Sequence, residues 1–248
     1  MAKNSMYLYG KNSVWERLKA DPGSIRRIYV QDNFNAPHIM KLVKASGIPL
    51  NRVSEKDLLR IKRADRLQGI VAEVRKFRYT PFEELIGKSA GERMSLVFLD
   101  GLNDPHNLGS IIRIAACFGN LAVVIPQHGS CDVNETVLHV ASGGENYTPV
   151  SMVTNLSTAL IKAGKAGYWA VGAVVEGGED INRVSLPFPL CLVLGAEGRG
   201  IRPGIQKHLD MKVSLPMTGA PLSFNVAMAF AVFAHEITKQ RPDAGSKP

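Results

Sequence analysis

Three short segments of this 248-residue chain carry residue types suited to holding a charged or polar ligand. The first spans 99–113 (LDGLNDPHNLGSIIR). An apolar run ends at Asp100-Gly101, and Asn103, Asp104 and Pro105 mark a turn. Asn107 stands where a helix N-cap belongs. Gly109 would let a ligand approach the free N–H groups of the first helical turn, which attract anions. Arg113 follows among Ile111, Ile112, Ile114 and Ala115. A guanidinium buried there needs a partner, because an unpaired buried charge is costly. The second segment spans 192–201 (LVLGAEGRGI) and places Gly195, Gly198 and Gly200 around Glu197. Such glycines permit positive φ and close backbone approach to a ligand. Their GxxGxG spacing is not the GxGxxG dinucleotide fingerprint, and the Lys-Ser/Thr of a P-loop is missing. A carboxylate here would repel a pyrophosphate; it can accept hydrogen bonds from a ribose or pair with Arg113. The third segment, 215–225 (LPMTGAPLSFN), contains Pro216, Gly219 and Pro221. These fix an irregular loop whose backbone groups cannot all pair with one another, which leaves some for a polar ring such as adenine. Ser223 and Asn225 can cap the helix that follows.

The elements that must position these segments fall into two regions. Residues 5–75 alternate short signals: helices over 12–20, 36–46 and 54–63, and strands over 24–31, 48–53 and 69–74. Asn12 or Ser13 is expected near the first N-cap, Gly47 ends the second helix, and Ser54 caps the third with Asp57 in its first turn. Residues 76–94, with Pro81, Gly87 and Gly91, read as a linker holding a short helical turn. From 95 to 241 strands and helices alternate. Strands are expected at 95–99, 121–125, 168–174, 189–194 and 211–215. Helices are expected at 108–118, 134–141, 156–163, 201–208 and 225–239. This rhythm predicts an α/β fold with a mostly parallel sheet covered on both faces, whose ligands bind beyond the carboxyl ends of the strands. Residues 226–234 are apolar all round, so that helix is expected to be buried on every side, in part at a subunit interface.

Composition narrows the function classes. Residues 1–90 carry 18 Lys and Arg against 9 Asp and Glu, a balance of +9, while residues 91–248 carry 12 against 13, or −1. A basic module of this kind favours a polyanion partner such as nucleic acid. Apolar residues make up 45% of the chain, enough for a sizeable core. No apolar run is long enough to span a membrane, and the start lacks a leader pattern, which predicts a cytoplasmic protein. The cysteines, Cys117, Cys131 and Cys191, have no metal-ligand spacing, and Cys117 and Cys191 are expected to be buried thiols. No metal site is expected.

The three segments, in this order at the end of the chain, resemble the signature motifs of the SpoU (TrmH-like) RNA 2′-O-methyltransferases of the SPOUT class. Residues 139–150 (HVASGGENYTPV) resemble the family's stretch between its first and second motifs, and residues 5–75, ending in LQGIVA, resemble the ribosomal-protein-like RNA-binding domain that many members carry. The resemblance implies a trefoil-knotted SPOUT domain over 95–241 behind an RNA substrate-binding domain over 5–75, a bent S-adenosylmethionine as cofactor, and a homodimer with sites at its interface. By position it implies that Asn107, Arg113, Glu197, Ser223 and Asn225 are the functional polar residues, and that Gly195, Leu215, Met217 and Phe224 line the cofactor. Phe224 departs from the family's usual leucine, which alters pocket shape while sparing backbone contacts. The implied reaction is methyl transfer to a ribose 2′-hydroxyl of structured RNA, in first place a guanosine of 23S ribosomal RNA. The alternatives are a transfer RNA target or a catalytically inactive RNA-binding relative. Arginine is a poor base, with a pKa above about 12. Arg113 is therefore expected to orient the ribose and stabilise developing charge, with Glu197, a water or a phosphate oxygen taking the proton.

Overall fold

The structure, a computed structural model, describes residues 5–88, 93–220 and 222–242. Gly91 and Pro221, named above as turn residues, lie outside them. Two sheets organise the chain. The first contains β1 (Ser5–Tyr9), β2 (Ile25–Gln31), β3 (Leu50–Val53) and β4 (Ile70–Arg75) in the order β1-β4-β2-β3. Strand β4 runs antiparallel to both neighbours, and β2 pairs β3 in parallel. Helices α1 (Lys11–Ala20) and α2 (Pro37–Ser46) lie on one face, and α3 (Glu55–Ile61) reaches the other. Local signals decide several ends. Gly47, at φ 66°, takes the left-handed conformation that closes α2, and the Ser54 hydroxyl accepts from the Asp57 N–H to open α3. Helix α1 instead opens at Gly10, with no side-chain cap. Ser13, expected at the cap, is buried inside the helix.

After α4 (Phe82–Ile86) comes the larger sheet: β5 (Ser95–Asp100), β6 (Leu121–Pro126), β7 (Val150–Val153), β8 (Trp169–Ala173), β9 (Glu179–Asp180), β10 (Leu190–Gly195) and β11 (Met211–Ser214). Their order is β7-β6-β5-β10-β8-β11-β9, and every pairing is parallel. Alternate residues of β5 explain its unbroken apolar sequence. Val97 and Leu99 enter one core with α5 (Pro105–Phe118), α6 (Glu135–Ala141) and α9 (Val226–Gln240). Leu96 and Phe98 enter the other with α4, α7 (Leu156–Lys165) and α8 (Pro203–Gln206). The first core continues into the smaller sheet through Leu8, Ile28 and Val74, so the two units share one apolar interior.

Several expectations are corrected. Helix α5 begins at Pro105, three residues early, because the Asp104 carboxylate accepts from the His106 N–H and proline suits the first helical position. Asn107 is therefore inside the first turn and is not the cap. Helix α8 covers only Pro203–Gln206 of the expected 201–208. Strands β1, β7 and β9 were not anticipated; they are short and lie at sheet edges, where few apolar residues are needed. Cys191 is buried, but Cys117 is exposed on the outer side of α5. Helix α9 is not covered all round either: Phe230, Phe233, Ala234 and Ile237 are buried, while Met228 and Val232 are 65% and 45% exposed.

Candidate active site

Chain order and sheet order diverge at β5. The chain leaves β5 toward β6 and β7, and β10 later enters on the other side of β5, with Gly195 opposite Asp100. In an open parallel sheet this is where a crevice forms beyond the carboxyl ends of the strands. Asp100 ends β5 at 1% exposure and has a structural partner. Its carboxylate accepts from the Arg202 backbone N–H at 2.8 Å and from Arg202 Nε at 2.6 Å. This bond pins the loop after β10 to the end of β5. Asp100 was not singled out from the sequence. The available signal was a lone acid closing a strand that is otherwise buried and apolar.

The loop itself is a tight turn. Gly200 N–H donates to Ala196 C=O at 2.9 Å, and Gly198 and Gly200 have φ of 78° and 65°. A Cβ on Gly195 would sit 2.1 Å from the Gly200 carbonyl carbon and 2.3 Å from the Ile201 nitrogen. Gly195 is thus required first by the chain's own return. Gly109 has a similar explanation: a Cβ there would fall 2.7 Å from Val140 Cβ, so the glycine lets α6 pack on α5 and not a ligand on the helix.

The turn aims Glu197 at two amides. Asn225 Nδ2 donates to Glu197 Oε1 at 2.9 Å and to Asn107 Oδ1 at 2.9 Å, and Asn107 Nδ2 donates to the same Glu197 oxygen at 3.3 Å. Asn225 Oδ1 accepts from the Ala227 N–H at 2.9 Å, capping α9 and fixing which end of the amide points at the carboxylate. Residues from α5, the β10 loop and the start of α9 therefore meet in one hydrogen-bonded group. Glu197 Oε1 is occupied, and Oε2 has no protein donor among the described residues.

Arg113 stands apart. Six residues beyond Asn107, it is turned about 240° round α5 and displaced about 9 Å along it. It is exposed, contrary to the buried position expected, and among the described residues it makes no ion pair or hydrogen bond. It lines an open cleft of about 270 Å³ with Glu16, Cys117, Gly143 and Tyr147. Ser223 and Phe224 are exposed next to Asn225, and Ser223 forms no hydrogen bond among the described residues. Leu215 and Met217 follow β11, half-buried and exposed respectively. No backbone partner binds the N–H groups of Met217, Thr218 and Gly219 among the described residues. No cluster of metal-ligating side chains occurs among the described residues, and none of their helices is long and apolar enough to cross a membrane.

The smaller unit is fixed against α5 and α6. Arg17 of α1 forms a buried ion pair with Glu145 at 3.1 Å. Tyr147 donates to Glu16 at 2.6 Å, and Glu135 accepts from the Tyr7 N–H at 2.6 Å and also pairs with Lys62. The Tyr9 and His139 rings stack with centroids 4.2 Å apart. Gly143, at φ 98°, passes so close to Glu16 that a Cβ would lie 2.3 Å from its side chain.

The chain is similar to known proteins along most of its length. Residues 94–235 match the SpoU rRNA Methylase family, and residues 7–80 match the RNA 2′-O ribose methyltransferase substrate binding family. A 23S rRNA (guanosine-2′-O-)-methyltransferase of Ralstonia nicotianae is 36% identical, covering 97% of this chain and 98% of its own. Its counterpart in Pseudomonas aeruginosa is 35% identical over 94% and 96%. Among solved structures, the SpoU methyltransferase AviRb of Streptomyces viridochromogenes, in complex with AdoMet, superposes with a TM-score of 0.80 at 20% identity, covering 96% of this chain and 90% of its own.

Proposed function

The chain belongs to the SpoU rRNA methylase family, and from that premise we propose that it transfers the methyl group of S-adenosylmethionine to the ribose 2′-hydroxyl of a guanosine in 23S ribosomal RNA. The observation that carries this reading is the Asn107–Glu197–Asn225 group at the carboxyl ends of β5 and β10, assembled from three segments far apart in sequence.

S-adenosylmethionine, when bound, supplies an activated methyl on a sulfonium leaving group. The residues present fit it. Among the described residues no backbone partner takes the N–H groups of Met217, Thr218 and Gly219, which leaves them for a polar ring beside the turn that Gly195 opens. Gly195, Leu215, Met217 and Phe224 would hold it. Glu197, with one oxygen held by two amides and the other without a protein donor among the described residues, is placed to accept a hydrogen bond or a proton from a ribose. Asn107 and Asn225 orient that carboxylate. Arg113 contributes charge: a permanently protonated guanidinium orients the target nucleotide and stabilises the developing alkoxide.

Within one chain Arg113 lies outside this group, so a second copy supplies it. Leu222 and Phe224, in the loop before α9, and Met228 and Val232, on α9, are 72%, 52%, 65% and 45% exposed. This stripe is the proposed homodimer face, since contiguous exposed apolar surface of this kind marks an interaction site. The further proposals are that 95–241 forms a trefoil-knotted methyltransferase domain, with β10 threaded between β5 and β8, that 5–75 is the RNA-binding domain joined by linker 76–94, and that the enzyme works in the cytoplasm. Incubation with methyl-labelled S-adenosylmethionine and either 23S ribosomal RNA or transfer RNA tests the reading. Label in the ribosomal RNA alone is expected. Label in transfer RNA alone, or in neither, would overturn it.

A further inference from the structure

The four-stranded sheet has two unlike faces. One joins the shared core through Leu8, Ile28, Ala72 and Val74. Strand register places Tyr7, Glu73 and Arg27 in one row across the other face, with Tyr9, Val71 and Tyr29 in the next row and Ser5 and Arg75 beyond. Helix α3 covers part of this face, where Leu58 packs with Tyr9 and Val71, and Tyr7 and Tyr29 pack against the edge of that cluster. Beyond it Arg27 and Arg75 are exposed and Glu73 is half-buried, and at the border Tyr7 and Tyr29 keep part of their surface open.

We propose that this partly open face is a stacking surface for a single-stranded segment of the RNA substrate, with the exposed sides of the Tyr7 and Tyr29 rings as the two base platforms and Arg27 and Arg75 meeting the flanking phosphates. The inference rests on the reading that the smaller unit grips RNA. Tyr7 and Tyr29 stand on strands separated by β4, about 10 Å apart laterally, so each takes a different base. Each has its own cation: Arg27 lies two residues before Tyr29 on β2, and Arg75 pairs across the ladder with Ser5, two residues before Tyr7. Aromatic rings beside guanidinium groups on a sheet favour unpaired bases, because a base in a duplex has no free face. Glu73, between the tyrosines, can only accept hydrogen bonds, so it turns phosphate away and meets base edges that donate. The +9 balance of residues 1–90 favours a polyanion over a protein partner.

The test uses the full chain and two fluorescent probes, a short unstructured RNA and a perfect RNA duplex of the same length. Replacing both tyrosines by leucine (Tyr7→Leu with Tyr29→Leu) keeps apolar packing and removes the rings. Affinity for the single strand is expected to fall about tenfold or more, with duplex affinity and S-adenosylmethionine binding unchanged. Phenylalanine at both positions is expected to restore it. Replacing Arg27 and Arg75 by glutamine is expected to reduce the slope of log K against log salt by about 1.4. Single-strand affinity within twofold of wild type in the leucine variant, or an unchanged salt slope in the glutamine variant, would overturn the proposal. Methyl transfer by the wild-type chain with tyrosine-independent RNA binding would sink this surface alone. Tyrosine-dependent binding without any transfer would sink the methyltransferase reading alone.

Discussion

Removing the cation of the Arg17–Glu145 pair should destabilise the chain in a pH-dependent way. The pair is poor in contacts for its depth. Of the Arg17 nitrogens only Nη2 reaches Glu145, at 3.1 Å, Asn146 Nδ2 adds one long bond to the same oxygen at 3.4 Å, and Arg17 Nε and Glu145 Oε2 have no partner among the described residues. Glu145 is fully buried at its side chain and Arg17 is 11% exposed. Burial pushes the Glu145 carboxyl above its ordinary value of 4.5, and Arg17 pulls it back only in part. Arg17→Met keeps the aliphatic stem and removes that pull, so the folded-state pKa of Glu145 rises further. A raised folded pKa means that stability is intact below the unfolded value and is lost as pH rises through the folded one. Breaking a buried pair from one side costs about 3–5 kcal/mol when the remaining charge cannot be relieved. Here uptake of a proton relieves it at low pH, and each unit of further upward movement corresponds to about 1.4 kcal/mol. The expected cost of Arg17→Met is therefore about 3 kcal/mol at pH 8 and under about 1 kcal/mol at pH 5. Adding Glu145→Gln should recover most of the loss at pH 8 and flatten the pH dependence. Chemical denaturation followed by circular dichroism at the two pH values measures all three chains. A cost that is flat with pH, or below about 1 kcal/mol at pH 8, would refute the reasoning.

Four further substitutions, at three positions, probe the site. Arg113→Ala should leave Tm unchanged, because the side chain is exposed and unpaired among the described residues, and should lower methyl transfer at least about 100-fold; near-wild-type transfer would remove Arg113 from the mechanism. Gly195→Ala forces a Cβ to 2.1 Å from the Gly200 backbone, so a strain of about 1–3 kcal/mol and calorimetrically weaker S-adenosylmethionine binding are expected. Asn225→Ala should cost about 1 kcal/mol through the lost cap. Asn225→Ser should restore the cap but not the amide bonds to Glu197 and Asn107, leaving transfer low in both variants.

The large sheet was legible because both of its faces are covered. That made β5, β6 and β10 continuous apolar runs with turn residues at their ends. The edge strands were not, since β7 and β9 have four and two residues and pair on one side only. Glycine was ambiguous in principle: residue type reports that something comes close, not what. At Gly109 the neighbour is Val140 and at Gly195 it is the Gly200 backbone, both within the chain. The segment 107–113 was read as one unit, yet a helix separates Asn107 and Arg113 by about 240°, and only Asn107 reaches Glu197. The apolar character of 226–234 was read as burial on every side, yet Met228 and Val232 are exposed, because an apolar residue type does not say which face of a helix is covered. The Arg17–Glu145 and Glu135–Lys62 pairs join residues 128 and 73 positions apart, and no local pattern marks such partners.

The central claim is that the methyl goes to a ribose 2′-oxygen. A 2′-O-methyl group blocks alkaline cleavage of the adjoining phosphodiester, because the 2′-hydroxyl is the internal nucleophile. Ribosomal RNA labelled by the wild-type chain with methyl-labelled S-adenosylmethionine should therefore release its label, after alkaline hydrolysis, in an alkali-resistant dinucleotide containing guanosine. Label recovered in mononucleotides would place the methyl on a base and contradict the account.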